Sequence, residues 1–258
     1  MTDPAPAVRR IKRGWMNLKV TEVIRETHDT DTFILVDAEE GGRVFDYIAG
    51  QYLTFRFDDI APKPIVRSYT MSSSPNQPNF AAFTVKRVEG GVISNWLCDH
   101  VKTGTILRAR GPIGKFCFDP ALDQPHLVMV AGGSGVTPFI SILREFEQRL
   151  GSPGAPQNMT VLVSYRTRED LICWNELQHA RDVKGIQIFA TLSREDKTRE
   201  GFWHGRLNDE MIERAVQSSY GATTYMTCGP EAIMDLTVAH LKKHGVEDRY
   251  IKTESFAS

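Results

Sequence analysis

The sequence predicts two domains, an antiparallel β-barrel over residues 15–120 followed by an α/β domain with a parallel sheet over residues 125–258. Three observations carry this prediction. Up to about Asp119 the chain is a series of short β-branched and aromatic runs bounded by Gly, Pro and Asp, the pattern of antiparallel strands and turns in a barrel or a sandwich. Beyond the proline-containing link "DPALDQPH", apolar runs alternate with amphipathic helices, as in a parallel sheet covered on both faces. At 258 residues the chain is also long enough for two substantial cores.

Residues 1–14 read as a flexible arm whose basic cluster, Arg9, Arg10, Lys12 and Arg13, is either a solvated tail or a steering patch for an acidic partner. Strands follow at "NLKVTEVIRET", "DTFILVD", "YLTFRF", "IVRSYTM", "FAAFTVKRV" and "TILRARGP". One segment breaks their period. In "GGVISNWLCDHV", Val92, Trp96, Leu97 and Val101 recur at helical spacing, so a helix is expected to cap the barrel. The fourth strand is unusual in its chemistry. A period of two puts Arg67, Tyr69 and Met71 on one face and Ser68, Thr70 and Ser72 on the other, so that a cation and a flat ring share a face. On local evidence such a strand is an ordinary half-exposed one, its arginine solvated and its tyrosine packed, and the rest of the chain must decide whether it is more.

In the second domain the strand–helix pairs run "HLVMVAGG" into "TPFISILREFEQRL", "MTVLVSYR" into "DLICWNELQHA", "IQIFATLS" into "RLNDEMIERAV" and "TTYMTCGP" into "EAIMDLTVAHLKKHG", with a last strand in "RYIKTESF". Parallel sheets bind ligands at the carboxyl ends of their strands. At the first of these ends stands Ala131-Gly132-Gly133-Ser134-Gly135-Val136-Thr137-Pro138. Small residues let the backbone turn sharply and approach a ligand, Pro138 suits the first position of a helix, and the free amides there favour a phosphate. The pattern is GxGxxP, not the GxGxxG of the dinucleotide fold. Cys228-Gly229-Pro230 and Ser193-Arg194 end two further strands on the same edge. The Cys228 thiol either meets a cofactor ring or is a buried structural cysteine; Ser193 and Arg194 suit a phosphate or ribose, or a solvated turn. Together the three ends outline a nucleotide site.

Bulk properties exclude several classes. Lys plus Arg at 31 against Asp plus Glu at 32 offers no general attraction to nucleic acid or an anionic membrane. Cys98, Cys117, Cys173 and Cys228 show no CxxC and no iron–sulfur spacing, and read as reduced thiols of a cytoplasmic protein. No apolar run reaches membrane-spanning length, and residues 1–15 lack the core of a signal peptide.

The ordered set "RSYT", "FTVKR", "GGVISNWLCD", "GPIGKF", "AGGSGVTPF", "LSRED" and "CGPEAIM" resembles the ferredoxin–NADP reductase superfamily from about residue 17 to residue 256. The resemblance implies a flavin-binding barrel and an NAD(P)-binding domain that transfer a hydride from NADH or NADPH to FAD (FMN in some relatives). Electrons then pass singly to a separate iron–sulfur protein, a ferredoxin or an oxygenase component. It implies that Arg67 neutralises flavin phosphate, that Tyr69, next to Ser68, lies against the ring, and that Thr70 reaches the ring's reactive edge. Thr84, Val85 and Lys86 would line the ribityl and pyrophosphate portion, and Gly91, Val92, Ile93 and Ser94 would bind pyrophosphate. Gly133, Ser134, Gly135, Thr137 and Pro138 would receive the nicotinamide nucleotide, Cys228, Gly229 and Pro230 its nicotinamide, and Ser193 and Arg194 a 2′-phosphate. Two departures limit the likeness. "REGFWHGR", with Trp203 and His204, replaces a lysine-x-tyrosine, which leaves NADH and NADPH both open and makes Trp203 a candidate for setting the preference. The end "TESFAS" resembles bacterial oxygenase reductases: Phe256 would cover the other flavin face and Glu254 relay a proton, or the two merely end a strand. The alternatives are a free-flavin or small-molecule reductase, and a flavin-binding subunit without turnover. Strict alternation sets Thr70 opposite Tyr69, so the strand is expected to bend or end near Thr70.

Overall fold

A computed structural model of the chain describes residues 14–43, 45–195, 200–217 and 220–256; the basic cluster of the N-terminal arm lies outside them. The first strand, β1 (Trp15–Thr27), shows why the barrel forms: Met16, Leu18 and Val20 are buried while Asn17, Lys19 and Thr21 are exposed, one apolar face per strand. β2 (Thr30–Asp37), β3 (Tyr52–Phe57), β4 (Ile65–Thr70), β5 (Ala81–Lys86) and β6 (Ile106–Ile113) complete an antiparallel sheet in the order β4-β3-β6-β1-β2-β5. Its two edge strands meet through a bridge between Met71 and Phe83, which closes the sheet into a barrel. Helix α1 (Val92–His100) caps it. The inward face of α1 is Ile93, Ser94 and Leu97, with Val101 just beyond; Val92, expected on that face, is 56% exposed because it stands at the first turn, outside the barrel rim.

The second domain is a six-stranded sheet in the order β10-β9-β8-β7-β11-β12, parallel throughout. Its strands are β7 (His126–Gly132), β8 (Asn158–Tyr165), β9 (Ile186–Leu192), β10 (Trp203–His204), β11 (Thr223–Cys228) and β12 (Ile251–Glu254). Successive residues of β7 enter different cores. Leu127, Met129 and Ala131 pack under α2 (Thr137–Phe146) and α3 (Trp174–Ala180); Val128 and Val130 pack under α4 (Asp209–Val216) and α5 (Glu231–Lys243). That explains the continuous apolar runs in the sequence. Strand order proceeds outward from β7 to β10 on one side and resumes with β11 on the other, so the direction of winding reverses at β7 and opens a crevice at the carboxyl ends there.

Contacts across the seam hold the two halves together. Phe116 and Phe118, from the link after β6, pack on Phe139 and Phe146 of α2 with ring centroids 5.9 and 5.6 Å apart. The seryl loop after β4 is the polar joint: Arg144 Nη1 donates to the Ser72 carbonyl at 2.7 Å and Ser141 Oγ to the Ser73 carbonyl at 2.6 Å. Lys252 reaches back from β12 to Asp123 at 2.5 Å and to the Cys117 carbonyl at 2.7 Å.

Candidate functional site

The register of the parallel sheet brings the chemistry to one edge. Ala131 pairs with Cys228 and Cys228 with Glu254, so the ends of β7, β11 and β12 stand level, beside the Gly132–Ser164 pair that ends the β7–β8 ladder. A crevice of about 460 Å³ opens above them, lined by Gly132, Gly133, Ser134, Ser193, Gly229 and Pro230, with Lys86 from the barrel and Phe256 from the C-terminal segment. Ser164, Tyr165, Arg166, Asp170, Glu231, Ile233 and Ser255 complete its wall.

The glycines of the loop divide by role. Gly133, at φ +53°, has open space where a Cβ would be, and with Ser134 it faces the crevice. A Cβ on Gly135 would stand 2.2 Å from the Cys228 carbonyl oxygen, and one on Gly229 2.6 Å from that of Gly132, so these two are small because backbone meets backbone. Thr137 and Pro138 begin α2 as expected but are buried, and the Thr137 hydroxyl donates to the Ser134 carbonyl at 2.8 Å, fixing the turn.

Cys228 is wholly buried between its sheet neighbours; its thiol is pushed up by burial and by the nearby Glu254 charge, and Gly229 and Pro230 line the crevice in its place. Arg194 is exposed at the rim while Ser193 lines the wall; the Arg194 amide donates to the Arg166 carbonyl at 2.8 Å, which ties the ends of β9 and β8 together. Trp203, a sequence candidate for nucleotide preference, stands outside the crevice: it stacks on Phe189 at 4.9 Å and lies under the Arg214 guanidinium.

On the barrel side, β4 ends at Thr70, which resolves the alternation problem. Tyr69 turns inward with Leu53 and rests on Phe83 and Phe55, at centroid distances of 5.5 and 6.0 Å. Thr70 turns the other way, toward the second domain, where its side chain lies beside the Glu254 carboxyl. Burial lifts that carboxyl to about 7, against the lowering pull of Thr70, and leaves Oε2 buried without a partner among the described residues. A carboxyl that holds a proton near neutrality thus meets a hydroxyl and a thiol at the seam. Arg67 is exposed and its Nη1 donates to its neighbour's carbonyl at 2.9 Å, while Ser68 pairs with Thr54 at 3.1 Å.

Beside β4, Thr84 and Val85 are buried; the Thr84 hydroxyl is taken up by Thr32 at 2.7 Å and Ser72 at 3.0 Å. Lys86 bridges the domains, 2.5 Å from Asp29 and 3.6 Å from Asp170. At α1, Gly91 is the N-cap, no acidic residue occupies the first turn, and a Cβ on Gly91 would come within 2.6 Å of Ser94 Oγ. The Ser94 hydroxyl accepts from the Val88 amide at 3.2 Å, which leaves its proton for another acceptor, while Ile93 is core.

Residues 17–118 match the oxidoreductase FAD-binding domain family and residues 129–239 the oxidoreductase NAD-binding domain family. The chain is 32% identical over 241 residues to the NADH oxidoreductase HCR of Escherichia coli, covering 93% of this chain and 67% of that one. The chain belongs to the oxidoreductases built from an FAD-binding and an NAD-binding domain. Among its relatives is the glycine betaine monooxygenase reductase subunit of Chromohalobacter salexigens, 31% identical over 250 residues; the alignment covers 95% of this chain but 65% of that protein's length. The flavohem-like FAD/NAD-binding domain of nitric oxide dioxygenase from Vibrio cholerae O1 biovar El Tor has the same fold, with a TM-score of 0.80 at 22% identity, covering 96% of this chain and all of that one.

Sequence reasoning overlooked the β8 end of this family member's crevice, Ser164 and Arg166. The signal was present: "VSYR" is also a strand end on the carboxyl edge, and a central strand of a parallel sheet must contribute its end to any crevice there. Asp170 closes a capping box with Thr167, so it reads from sequence as a helix start and reaches the crevice only through the fold.

Proposed function

We propose that this chain takes a hydride from NADH or NADPH on bound FAD and passes electrons one at a time to an iron–sulfur protein, a ferredoxin or an oxygenase component. The observation that carries this reading is the meeting of Thr70, Cys228 and Glu254 at the seam, beside a crevice lined by the open Gly133-Ser134 turn. The barrel of residues 15–120 would hold FAD and residues 125–258 the nicotinamide nucleotide, with residues 1–14 an appended arm.

The side chains fit such a cofactor pair. Arg67 offers an exposed guanidinium for flavin phosphate, Tyr69 a flat ring, and the first amides of α1, at Gly91–Ser94, a seat for pyrophosphate. Lys86 brings a cation to the crevice wall, and Ser68, Thr84 and Val85 support the flavin through their strands. Gly133, Ser134 and Ser193 would take the nucleotide's phosphates and ribose, with Arg194 at the rim and Phe256 over the ring system. Gly135, Thr137, Pro138, Gly229 and Pro230 shape the turn that admits it. When bound, FAD supplies the exchange between two-electron and one-electron chemistry. Glu254 would hold the proton that accompanies it, with Thr70 directing a hydrogen bond at the ring edge.

That a relative is a monooxygenase reductase subunit supports an oxygenase component as acceptor. The acceptor's cluster would lie outside these 258 residues: Cys98, Cys117, Cys173 and Cys228 belong to α1, the interdomain link, the start of α3 and the end of β11. Their free thiols suit the cytoplasm as the proposed compartment. No helix among the described residues is long and apolar enough to cross a membrane.

Anaerobic titration of the flavin-loaded protein with NADH and then NADPH tests the reading. The flavin absorbance is expected to bleach with at least one of them and to recover on adding an oxidised ferredoxin. A flavin that stays oxidised with both would defeat it.

A further inference from the structure

The outer face of the barrel sheet joins Thr70 to a row of cations that the hydride chemistry does not use. Alternation along β3 sends Leu53, Phe55 and Phe57 into the core and Tyr52, Thr54 and Arg56 outward. On β6, Leu107 and Ala109 turn inward and Ile106, Arg108 and Arg110 outward; β1 adds Trp15, Asn17 and Lys19 to the outer side. Register aligns them: Tyr52 stands opposite Thr70, Thr54 opposite Arg110, and Arg110 opposite Trp15. Arg110 is thus two strands across and two residues along from Thr70, about 12 Å away at spacings of about 4.8 and 3.4 Å.

This face carries Arg56, Arg108, Arg110 and Lys19, and no acidic residue points outward from β3, β6 or Trp15–Lys19 of β1. Acids stand at its margins, Asp58 and Asp59 after β3 and Glu39 and Glu40 after β2. Asp58 engages Arg56 at 2.6 Å and lies 3.7 Å from Arg108. Arg110 and Lys19 are exposed and form no ion pair among the described residues. Arg108 and Arg110 both lie against Trp15, their Cζ atoms 5.4 and 5.1 Å from the ring centroid. A guanidinium held by a ring is kept in place without losing its charge. Toward Thr70 the surface turns apolar: Ile113, opposite Tyr52, and Ile48, in the turn that enters β3, are both exposed.

We propose that this face docks an acidic surface of the iron–sulfur acceptor, with Ile48, Tyr52 and Ile113 in the contact and Arg56, Arg108, Arg110 and Lys19 steering the approach. The inference rests on the electron-transfer reading above and adds where the acceptor sits and what charge it presents. The chain's net charge of −1 gives no general attraction, so steering has to come from a local patch. Arginines and an aromatic ring around an apolar patch suit a folded protein, whereas nucleic acid needs the cations alone. A partner drawn to Arg110 is brought beside the Thr70 end of β4, where the flavin edge would lie, and a basic partner is repelled.

The test follows reoxidation of the full flavin-loaded chain by stopped flow, after reduction with whichever nicotinamide nucleotide bleaches it. An acidic [2Fe–2S] ferredoxin and the basic protein cytochrome c serve as acceptors, for the wild type and the double variant Lys19→Glu/Arg110→Glu. Both side chains are exposed and neither lines the crevice, so the variant is expected to fold and to bleach at the wild-type rate, with circular dichroism as the check on folding. At low ionic strength its reaction with ferredoxin should be slower by about 10-fold or more, within the roughly 10- to 1,000-fold that steering supplies. The wild-type rate should fall toward it as salt is raised, and cytochrome c should not slow. Equal ferredoxin rates in the two proteins, an equal slowing with cytochrome c, or a charge reversal that weakens only duplex-DNA binding overturns the docking surface. Failure of both proteins to bleach would defeat the reductase reading itself, and the docking surface with it.

Discussion

A carboxyl group removed from water beside a thiol, with one oxygen unpaired, keeps its proton to higher pH, and Glu254 is lifted to about 7 in this way. The consequence for stability has a definite sign. The folded chain binds a proton at Glu254 that the unfolded chain releases above the ordinary value of 4.5, so this contribution is complete at lower pH and is lost as pH rises toward 7. Glu254→Gln should flatten that part of the dependence of the unfolding midpoint on pH, and the same substitution should remove a bend near pH 7 in the rate of flavin reduction. Unchanged profiles in the variant would assign the proton elsewhere. Arg67 calls for a different measurement. Exposed and held by a neighbouring carbonyl, it contributes little to folding. Arg67→Ala is expected to leave the unfolding free energy within about 0.5 kcal/mol and to weaken FAD binding about 10- to 100-fold, the loss of a hydrogen bond to a charged group. Equal FAD affinity in the two proteins would move the phosphate elsewhere.

At the scale of the element, the turn between β7 and α2 shows where sequence reading succeeds and where it stops. The spacing of glycines and Pro138 was enough to locate a strand–turn–helix junction, because the demand for small residues and a helix-starting proline is local. Which glycine serves the ligand was not legible, because the neighbours of Gly135 come from Cys228, 93 residues away by subtraction of their numbers. The two positions should therefore respond differently to alanine. Gly135→Ala forces a methyl group into a carbonyl oxygen and is expected to cost about 1–3 kcal/mol or more of stability. Gly133→Ala meets open space and costs about 1–2 kcal/mol for its left-handed backbone, with its larger effect on nucleotide affinity. Thermal unfolding and nucleotide titration of the pair check this; a milder loss of stability in Gly135→Ala than in Gly133→Ala would contradict the division. Val92 makes the same point for α1: helical period marks a face, but the first residue of a helix can stand clear of the core it nominally faces.

For the whole molecule, the two domains were legible because hydrophobic period changes where the architecture changes, near the link at residues 119–126. How the domains meet was not, since the seam is made of backbone carbonyls and side chains that carry no pattern. "SSSP", after Thr70, reads as a turn, yet the Ser72 and Ser73 carbonyls take Arg144 and Ser141 from α2, 72 and 68 residues away. This joint stands two residues from the Thr70–Glu254 contact. It therefore fixes the seat of one cofactor relative to the crevice of the other. Arg144→Ala removes the Ser72 contact and the ion pair with Glu176, at an expected cost of about 1–3 kcal/mol. Its kinetic effect should exceed its thermodynamic one, because a misplacement of about 1 Å between reacting groups costs as much as 100-fold in rate. Arg144 touches no predicted flavin-binding side chain directly, so the flavin's own contacts persist in the variant. Stopped-flow reduction by saturating nicotinamide nucleotide is thus expected to slow by about 10-fold or more while FAD affinity changes by no more than about threefold, the equivalent of roughly 0.65 kcal/mol. Parallel losses in rate and affinity would instead show that the joint stabilises the barrel alone and leaves the mutual placement of the two cofactor seats to other contacts.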